Sequence, residues 1–330
     1  MWAGAVPYNS ESSVRDSIFS AYPFQGLSVE IGHRPEGLRY SQHIINIKAT
    51  LEGHRIVVTG EGDSIRLALA KACSELTERA ALISTGDLYG ATTSNGWSAH
   101  PEFQTARQHA VFELIERDAV LAQWYSSTPF LKIRSDQFPL DLKKWAASEL
   151  SRSEFPELSV LISTKGLGPS VTCLLKNKNG FGVSGHASRA TLRNAIESAL
   201  AEACRAAHAT LRREYWGDTF KLKNKTPGPV DPGAHSVYYA YHEPFPKWME
   251  GNAISWTEAD TLWRFRIGGI VESDFSFQTV LQAPIFAGFA KHPLAVELHW
   301  GSTDENLVRC SVTAQRLGEI SINNETHIVS

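Results

Sequence analysis

Cysteine is scarce. The chain has four, at 73, 173, 204 and 310, and none pairs with another at metal-binding or redox spacing. A zinc ribbon, a dithiol redox centre and a disulfide-stapled scaffold are therefore not expected. Reduced thiols in a cytoplasmic protein fit the pattern. Cys73 and Cys204 lie beside alanines within helical periodicity, where a thiol acts as a small core residue. Long hydrophobic runs are also missing: no stretch approaches the ~18 continuous apolar residues of a membrane helix. The opening MWAGAVPYNSESS lacks a basic segment followed by an apolar one, so no signal peptide is expected. Neither sign of charge dominates, with 32 Lys+Arg against 35 Asp+Glu and a net charge of -3. That balance leaves no footprint for nucleic acid or for an anionic membrane. What remains is an ordinary globular composition, 42% hydrophobic and 20% charged over 330 residues, enough for one large domain or two smaller ones.

Alternating and β-branched runs predict strands at 43–49, 55–60, 158–164, 170–176 and 277–283. Alanine-rich segments predict helices over about 64–82, 102–125 and 188–213. Gly53 and KNKNG at 176–180 read as hairpin turns. Strand pairs followed by a helix suggest an α+β or mixed α/β layered fold rather than a strict βαβ series. KNKTPGPVDPGAH, at 223–235, reads as a Pro/Gly-rich connection. The expected organisation is a single domain over 1–330, with a part at 1–222, the connection at 223–235 and a C-terminal, substrate-facing part at 236–330. The aromatic stretch at 237–256 reads as a second small core in preference to a substrate contact.

Two helical segments share more than composition. Ala68, Ala72, Glu75, Glu78 and Arg79 match Ala106, Ala110, Glu113, Glu116 and Arg117 at identical spacing. A third segment repeats the first part as Ala195, Ala199 and Glu202, with Arg205 at the later acidic position. Each is preceded by glycines, in GEGDS (60–64), SNGWSAH (94–100) and GFGVSGH (180–186), which read as loops. Small residues at i and i+4 let a helix approach a neighbouring backbone, and Glu at i and i+3 share one face. The carboxylates lie on the alanine side and are expected to point toward the packed side, where an isolated charge costs several kcal/mol. Pairing with Arg79 and Arg117 on solvated helix faces is the competing reading. The pattern holds neither the Glu-x-x-His of di-iron bundles nor the His and Cys of zinc sites. Oxygen-only clusters suit Mg²⁺ held between carboxylates and phosphates, and glycine loops at helix starts could add N–H donors. No Walker P-loop is present.

TSNGWSAHPEFQTARQHAVFELIERDA closely resembles the central signature of the YcaO superfamily. GEGDSIRLALAKACSELTERAAL resembles its first helix motif, and GFGVSGHASRATLRNAIESALAEACRA its third. The resemblance is clear over residues 14–215 and fainter over 292–310. It implies a YcaO fold of repeated strand-loop-helix units around a central cleft, and ATP- and Mg²⁺-dependent activation of a peptide backbone amide. In the cyclodehydratase branch, a Cys, Ser or Thr side chain of a ribosomally made precursor peptide attacks the preceding carbonyl. ATP then phosphorylates the resulting oxygen, and loss of phosphate leaves an azoline. Other branches make thioamides or amidines. Carried over by position, the resemblance implies metal binding by Glu75, Glu113, Glu116 and Glu202. It implies nucleotide-site roles for Ser17, Glu78, Ser98 and Arg117, and assigns no catalytic side chain. It further implies a separate leader-peptide-binding protein of E1-like or RRE type, and a homodimer.

The chain also departs from the family pattern. His100-Pro101 stands where Gly-Asn is common, Thr105 replaces a Glu, and Ser198 replaces an arginine four residues before the third-motif Glu. No lysine precedes Ser17 at the expected distance, and the C-terminal NNETHIVS lacks a proline-rich tail. These departures support a second reading, a non-catalytic docking or scaffold subunit that keeps the fold. His100 and His186 read as hydrogen-bonded loop residues before they read as bases.

Overall fold

A computed structural model of the chain describes residues 22–32, 43–89, 94–211, 238–241, 243–271, 274–282, 285–296 and 298. Ser17, the 223–235 connection and NNETHIVS lie outside them. The described elements fall into two compact units, and the division passes between Val111 and Phe112.

The first unit begins with a meander. In β2 (His43–Leu51), Ile45, Ile47, Ala49 and Leu51 alternate onto one buried face, as β-branched residues favour. Glu52 and Gly53, both at positive φ (50° and 82°), form a two-residue turn that suits the twist of a hairpin. The turn sets Leu51 opposite His54 at the start of β3 (His54–Gly62). β1 (Gln25–Gly32) pairs antiparallel on the far side of β2. Helix α1 (Ile65–Tyr89) lays Ala68 and Ala72, both fully buried, on this sheet. Gly60 makes the approach possible: a Cβ there would stand 1.9 Å from the Ala68 carbonyl oxygen. The same unit holds a second antiparallel sheet, in the order β10 (Ser276–Leu281), β11 (Phe286–Lys291), β4 (Trp97–His100). Trp97, Ala99, Ala287 and Phe289 from this sheet join the core under α1.

The second unit is built on a five-stranded sheet. Its order is β8 (Gly182–Ala187), β7 (Val171–Lys176), β6 (Glu157–Ile162), β5 (Phe130–Ile133), β9 (Glu250–Ile254), antiparallel except for β5 with β9. Alternation divides its faces. Val160, Ile162, Cys173 and Leu175 pack with Ala195, Ala199, Ala203 and Ala207 of α4 (Leu192–Leu211). Leu161, Leu174 and Phe130 pack with Val120, Leu121 and Trp124, from the later part of α2 (Phe103–Tyr125). Helices α3 (Leu140–Glu149) and α5 (Trp256–Gly268) also belong to the unit. A capping box between Ser255 and Glu258 starts α5.

The mixed layered fold, the five expected strands and the three expected helices are present, as are both hairpin turns. Gly53 closes the first, and the second is closed by the Gly180 N–H donating to the Asn177 carbonyl. One expectation is corrected. The glycine segments before the acidic helices are largely strand: Gly60 and Gly62 lie in β3, 97–100 is β4 and 182–187 is β8. Gly60, Gly62 and Gly185 serve close packing of a helix, while Gly96 and Gly180 keep positive-φ turns as expected. Gly185 is the clearest case, since a Cβ would meet the Ala199 carbonyl oxygen at 2.2 Å and the Ala203 nitrogen at 2.3 Å. Gly185→Ala is expected to cost about 3 kcal/mol, the upper end for overpacking. Thermal melting should show this as a loss of roughly 2–4 °C per kcal/mol. An unchanged midpoint would mean that α4 moves off the strand freely.

Candidate functional site

In the second unit the chemistry gathers around Glu116. Ala106 and Ala110 are fully buried, so α2 keeps a small-residue stripe that Glu113 and Glu116 extend at intervals of three residues. Glu116 is 6% exposed, and Arg117 lies beside it with Nε 3.7 Å from Oε1. Burial, with Glu202 and Glu113 nearby, raises the Glu116 carboxyl, and Arg117 and Arg189 only partly oppose this. The result is a pKa of about 8, so Glu116 carries a proton at neutral pH. Burial alone would lower the Arg117 guanidinium, but Glu116, Glu202 and Glu113 hold it above its ordinary value. Glu202 comes from α4, and its Oε2 accepts the His186 N–H of β8 at 2.6 Å.

The first unit holds Glu75, Glu78 and Ser98. Glu75 accepts the Thr59 N–H at 3.4 Å and pairs with Arg79 at 3.9 Å. Their side chains are 38% and 44% exposed, so for this glutamate the surface pairing holds and the inward orientation does not. Glu78 Oε1 accepts the Ala99 N–H of β4 at 2.8 Å. Ser98 is buried on the same strand, opposite Gly288. Three of the predicted glutamates thus accept an N–H from a strand: Thr59 to Glu75, Ala99 to Glu78, His186 to Glu202. Ala99 and His186 lie in glycine segments that the sequence suggested as phosphate donors, and here their N–H groups orient carboxylates.

The departures at the start of α2 are absorbed locally. His100 Nδ1 accepts the Glu102 N–H at 3.0 Å, and the Thr105 hydroxyl donates to Glu102 Oε2 at 2.9 Å. The His100 and His109 rings meet edge to face at 5.8 Å. Burial lowers the His100 pKa against the pull of Glu102. His186 is buried, with Nδ1 3.0 Å from Thr172 Oγ1, which fits a structural histidine.

Asp118 and Arg189 were not among the sequence candidates. Asp118 is fully buried, and its two oxygens accept the Leu167 N–H at 2.6 Å and the Val296 N–H at 2.8 Å. Gln123, one turn on, accepts the N–H groups of Thr164 and Lys165 and donates to the carbonyls of Thr128 and Pro129. Arg266 of α5 donates to the carbonyls of Ser163, Lys165 and Gly166. The signal for Asp118 was an acid flanked by Arg117 and Ala119 in an apolar helix, where only a buried hydrogen-bonded role is tolerable. Arg189, in the turn after β8, left no pattern in the sequence.

The residues around Glu116 fit a hard cation chemically. Their donors are carboxylate oxygens, and three acids face two arginines. The proton on Glu116 reflects first its burial, and then the acidic neighbours that Arg117 and Arg189 only partly offset. Among the described residues, no three His, Cys, Asp or Glu side chains are already gathered as a ligand set.

A model of the YcaO family, described as YcaO cyclodehydratases that bind ATP and Mg²⁺, matches residues 80–264. No curated protein matches the chain. Among solved structures, YcaO from Methanopyrus kandleri, bound with AMPPCP and Mg²⁺, is similar at 12% identity and a TM-score of 0.61, over 89% of this chain and 94% of that one. A heterocyclase in complex with substrate and cofactor aligns at 13% identity and a TM-score of 0.58, over 93% of this chain and 56% of that one. The E. coli microcin synthetase McbBCD complex with pro-MccB17 bound gives 12% identity and a TM-score of 0.51, over 81% and 88%. At such identities the structures speak for the fold alone. The family match covers more than half of the sequence, with its acidic helix motifs at 113–117 and 202 inside the matched region, and the chain belongs to the YcaO family.

Proposed function

We propose that the protein is an ATP- and Mg²⁺-dependent cyclodehydratase that activates a backbone amide of a ribosomal precursor peptide by O-phosphorylation. The observation that supports this reading is the buried Glu116, paired with Arg117 and within electrostatic reach of Glu202 and Glu113, in a member of an ATP- and Mg²⁺-binding family. When bound, ATP and Mg²⁺ would supply the phosphoryl group and neutralise its charge. Glu113, Glu116 and Glu202 would hold the cation by oxygen, once Glu116 has released its proton. The resemblance assigns Glu75 to the same task. Arg117 would face phosphate oxygens, and Ser98, Glu78 and Ser17 take nucleotide-site roles by resemblance. On the peptide, a Cys thiol or a Ser or Thr hydroxyl adds to the preceding carbonyl carbon. The former carbonyl oxygen takes the phosphoryl group and leaves as phosphate, closing the azoline with net loss of water. A leader-binding partner protein and a homodimer belong to the same proposal.

Peptide-dependent phosphate release, with a cognate precursor and its leader-binding partner, tests the enzyme reading. Steady release that stops without peptide is expected, and none in a complete system would sink it. The docking-subunit reading is favoured by the local closure of His100 and Thr105 on Glu102 at the start of α2. Titration with ATP and Mg²⁺ separates the two, since a scaffold that has lost its nucleotide takes up none.

A further inference from the structure

We infer that Arg189, in the turn between β8 and α4, is a second phosphate-binding arginine that takes nucleotide oxyanions alongside Arg117. The inference rests on the nucleotide reading above.

The turn that carries Arg189 is fixed on several sides. The Ser188 hydroxyl donates to the Pro169 carbonyl at 2.9 Å, and the Trp263 indole N–H donates to the Arg189 carbonyl at 3.1 Å. Three residues earlier, the His186 N–H holds Glu202. The backbone of Arg189 is thus anchored to the β6–β7 connection and to α5, close in sequence to the group that aims a site carboxylate.

The side chain is far less committed. Among the described residues its one hydrogen bond runs from Nη1 to the carbonyl of Ser188 at 2.7 Å, and no carboxylate pairs with it. Two other arginines of this unit are spent, Arg193 on Asp141 and Glu197 and Arg266 on three carbonyls. Arg189 acts on Glu116 through space without forming an ion pair. A half-buried guanidinium with unused donors needs an anion to face, and its planar fork matches phosphate oxygens. If the neighbouring carboxylates are taken by a divalent cation, a phosphate bound to that cation is the anion within reach.

Calorimetric titration of ATP with Mg²⁺, and separately of AMP, into the full chain tests this with wild type, Arg189→Gln and Arg189→Lys. The glutamine variant is expected to lose ATP affinity by about 10–100-fold, the worth of a charge-assisted hydrogen bond. Lysine should fall between, AMP affinity should change far less, and melting temperatures should stay together. Unchanged ATP affinity in Arg189→Gln overturns the inference, as does an equal loss of ATP and AMP, which marks a structural role. Should the glutamine variant not fold, Arg189→Lys decides: ATP weakened with AMP retained supports the assignment, and no loss overturns it. A wild-type chain that takes up no ATP overturns the nucleotide reading itself and this inference with it.

Discussion

Replacing Glu116 with glutamine is expected to abolish Mg²⁺-dependent turnover while making the folded chain more stable above about pH 8. The two effects share one cause. A carboxyl raised from 4.5 to about 8 binds its proton more tightly in the folded state than in the unfolded one. The stability it contributes is fully present below its unfolded value of 4.5 and is lost as pH rises through about 8. Glutamine keeps the shape of the protonated acid and never ionises. The variant should therefore melt with wild type near about pH 5 and above it in alkali, by roughly 2–4 °C for each kcal/mol relieved. A bound cation requires the ionised form, so glutamine should cost about 10³-fold or more in turnover. In wild type, Mg²⁺ affinity should climb by about tenfold per pH unit toward pH 8, with release of a proton. Melting curves that stay parallel across pH would show that Glu116 is not held protonated.

The second large effect is expected at Asp118. Its carboxylate satisfies two buried N–H groups from distant parts of the chain, Leu167 and Val296, and acts on Arg266. Asp118→Ala would leave both donors without a charged acceptor and Arg266 with less compensation. A loss of about 3–5 kcal/mol follows, measurable by urea unfolding. Asp118→Asn should recover part of it, since an amide oxygen can serve only some of these contacts. Hydrogen exchange offers a local check: the Leu167 and Val296 amides should speed up together in the alanine variant. A loss below about 1 kcal/mol would mean that the segments find other acceptors.

Both residues lie in one run, Glu116-Arg117-Asp118, yet only part of it was legible in the sequence. Spacing exposed Glu113 and Glu116, because periodicity reports which residues share a helical face. It placed Ala68, Ala72, Ala195 and Ala199 correctly in the interior for the same reason. Periodicity says nothing about what lies opposite, so Glu75 came out half-exposed and paired with Arg79 while Glu116 came out buried. Asp118 acts on residues 49 and 178 positions away, a relation that no local pattern carries. Arg189 is visible only once β8 and α4 are assembled. The glycine segments misled because glycine marks turns and close helix contacts alike, and Gly185 turned out to be the latter.

The connection between β6 and β7, STKGLGPS, has a lysine beside two glycines and would ordinarily be chosen as a site for tryptic nicking. Asp118, Gln123 and Arg266 occupy its amides at Thr164, Lys165 and Leu167 and its carbonyls at Ser163, Lys165 and Gly166. A protease must draw the scissile strand into an extended form, and here that means breaking contacts made from two helices. Lys165 should therefore resist cleavage for as long as α2 and α5 stay folded, so limited trypsinolysis at this one bond would report the integrity of the helix that carries Glu116.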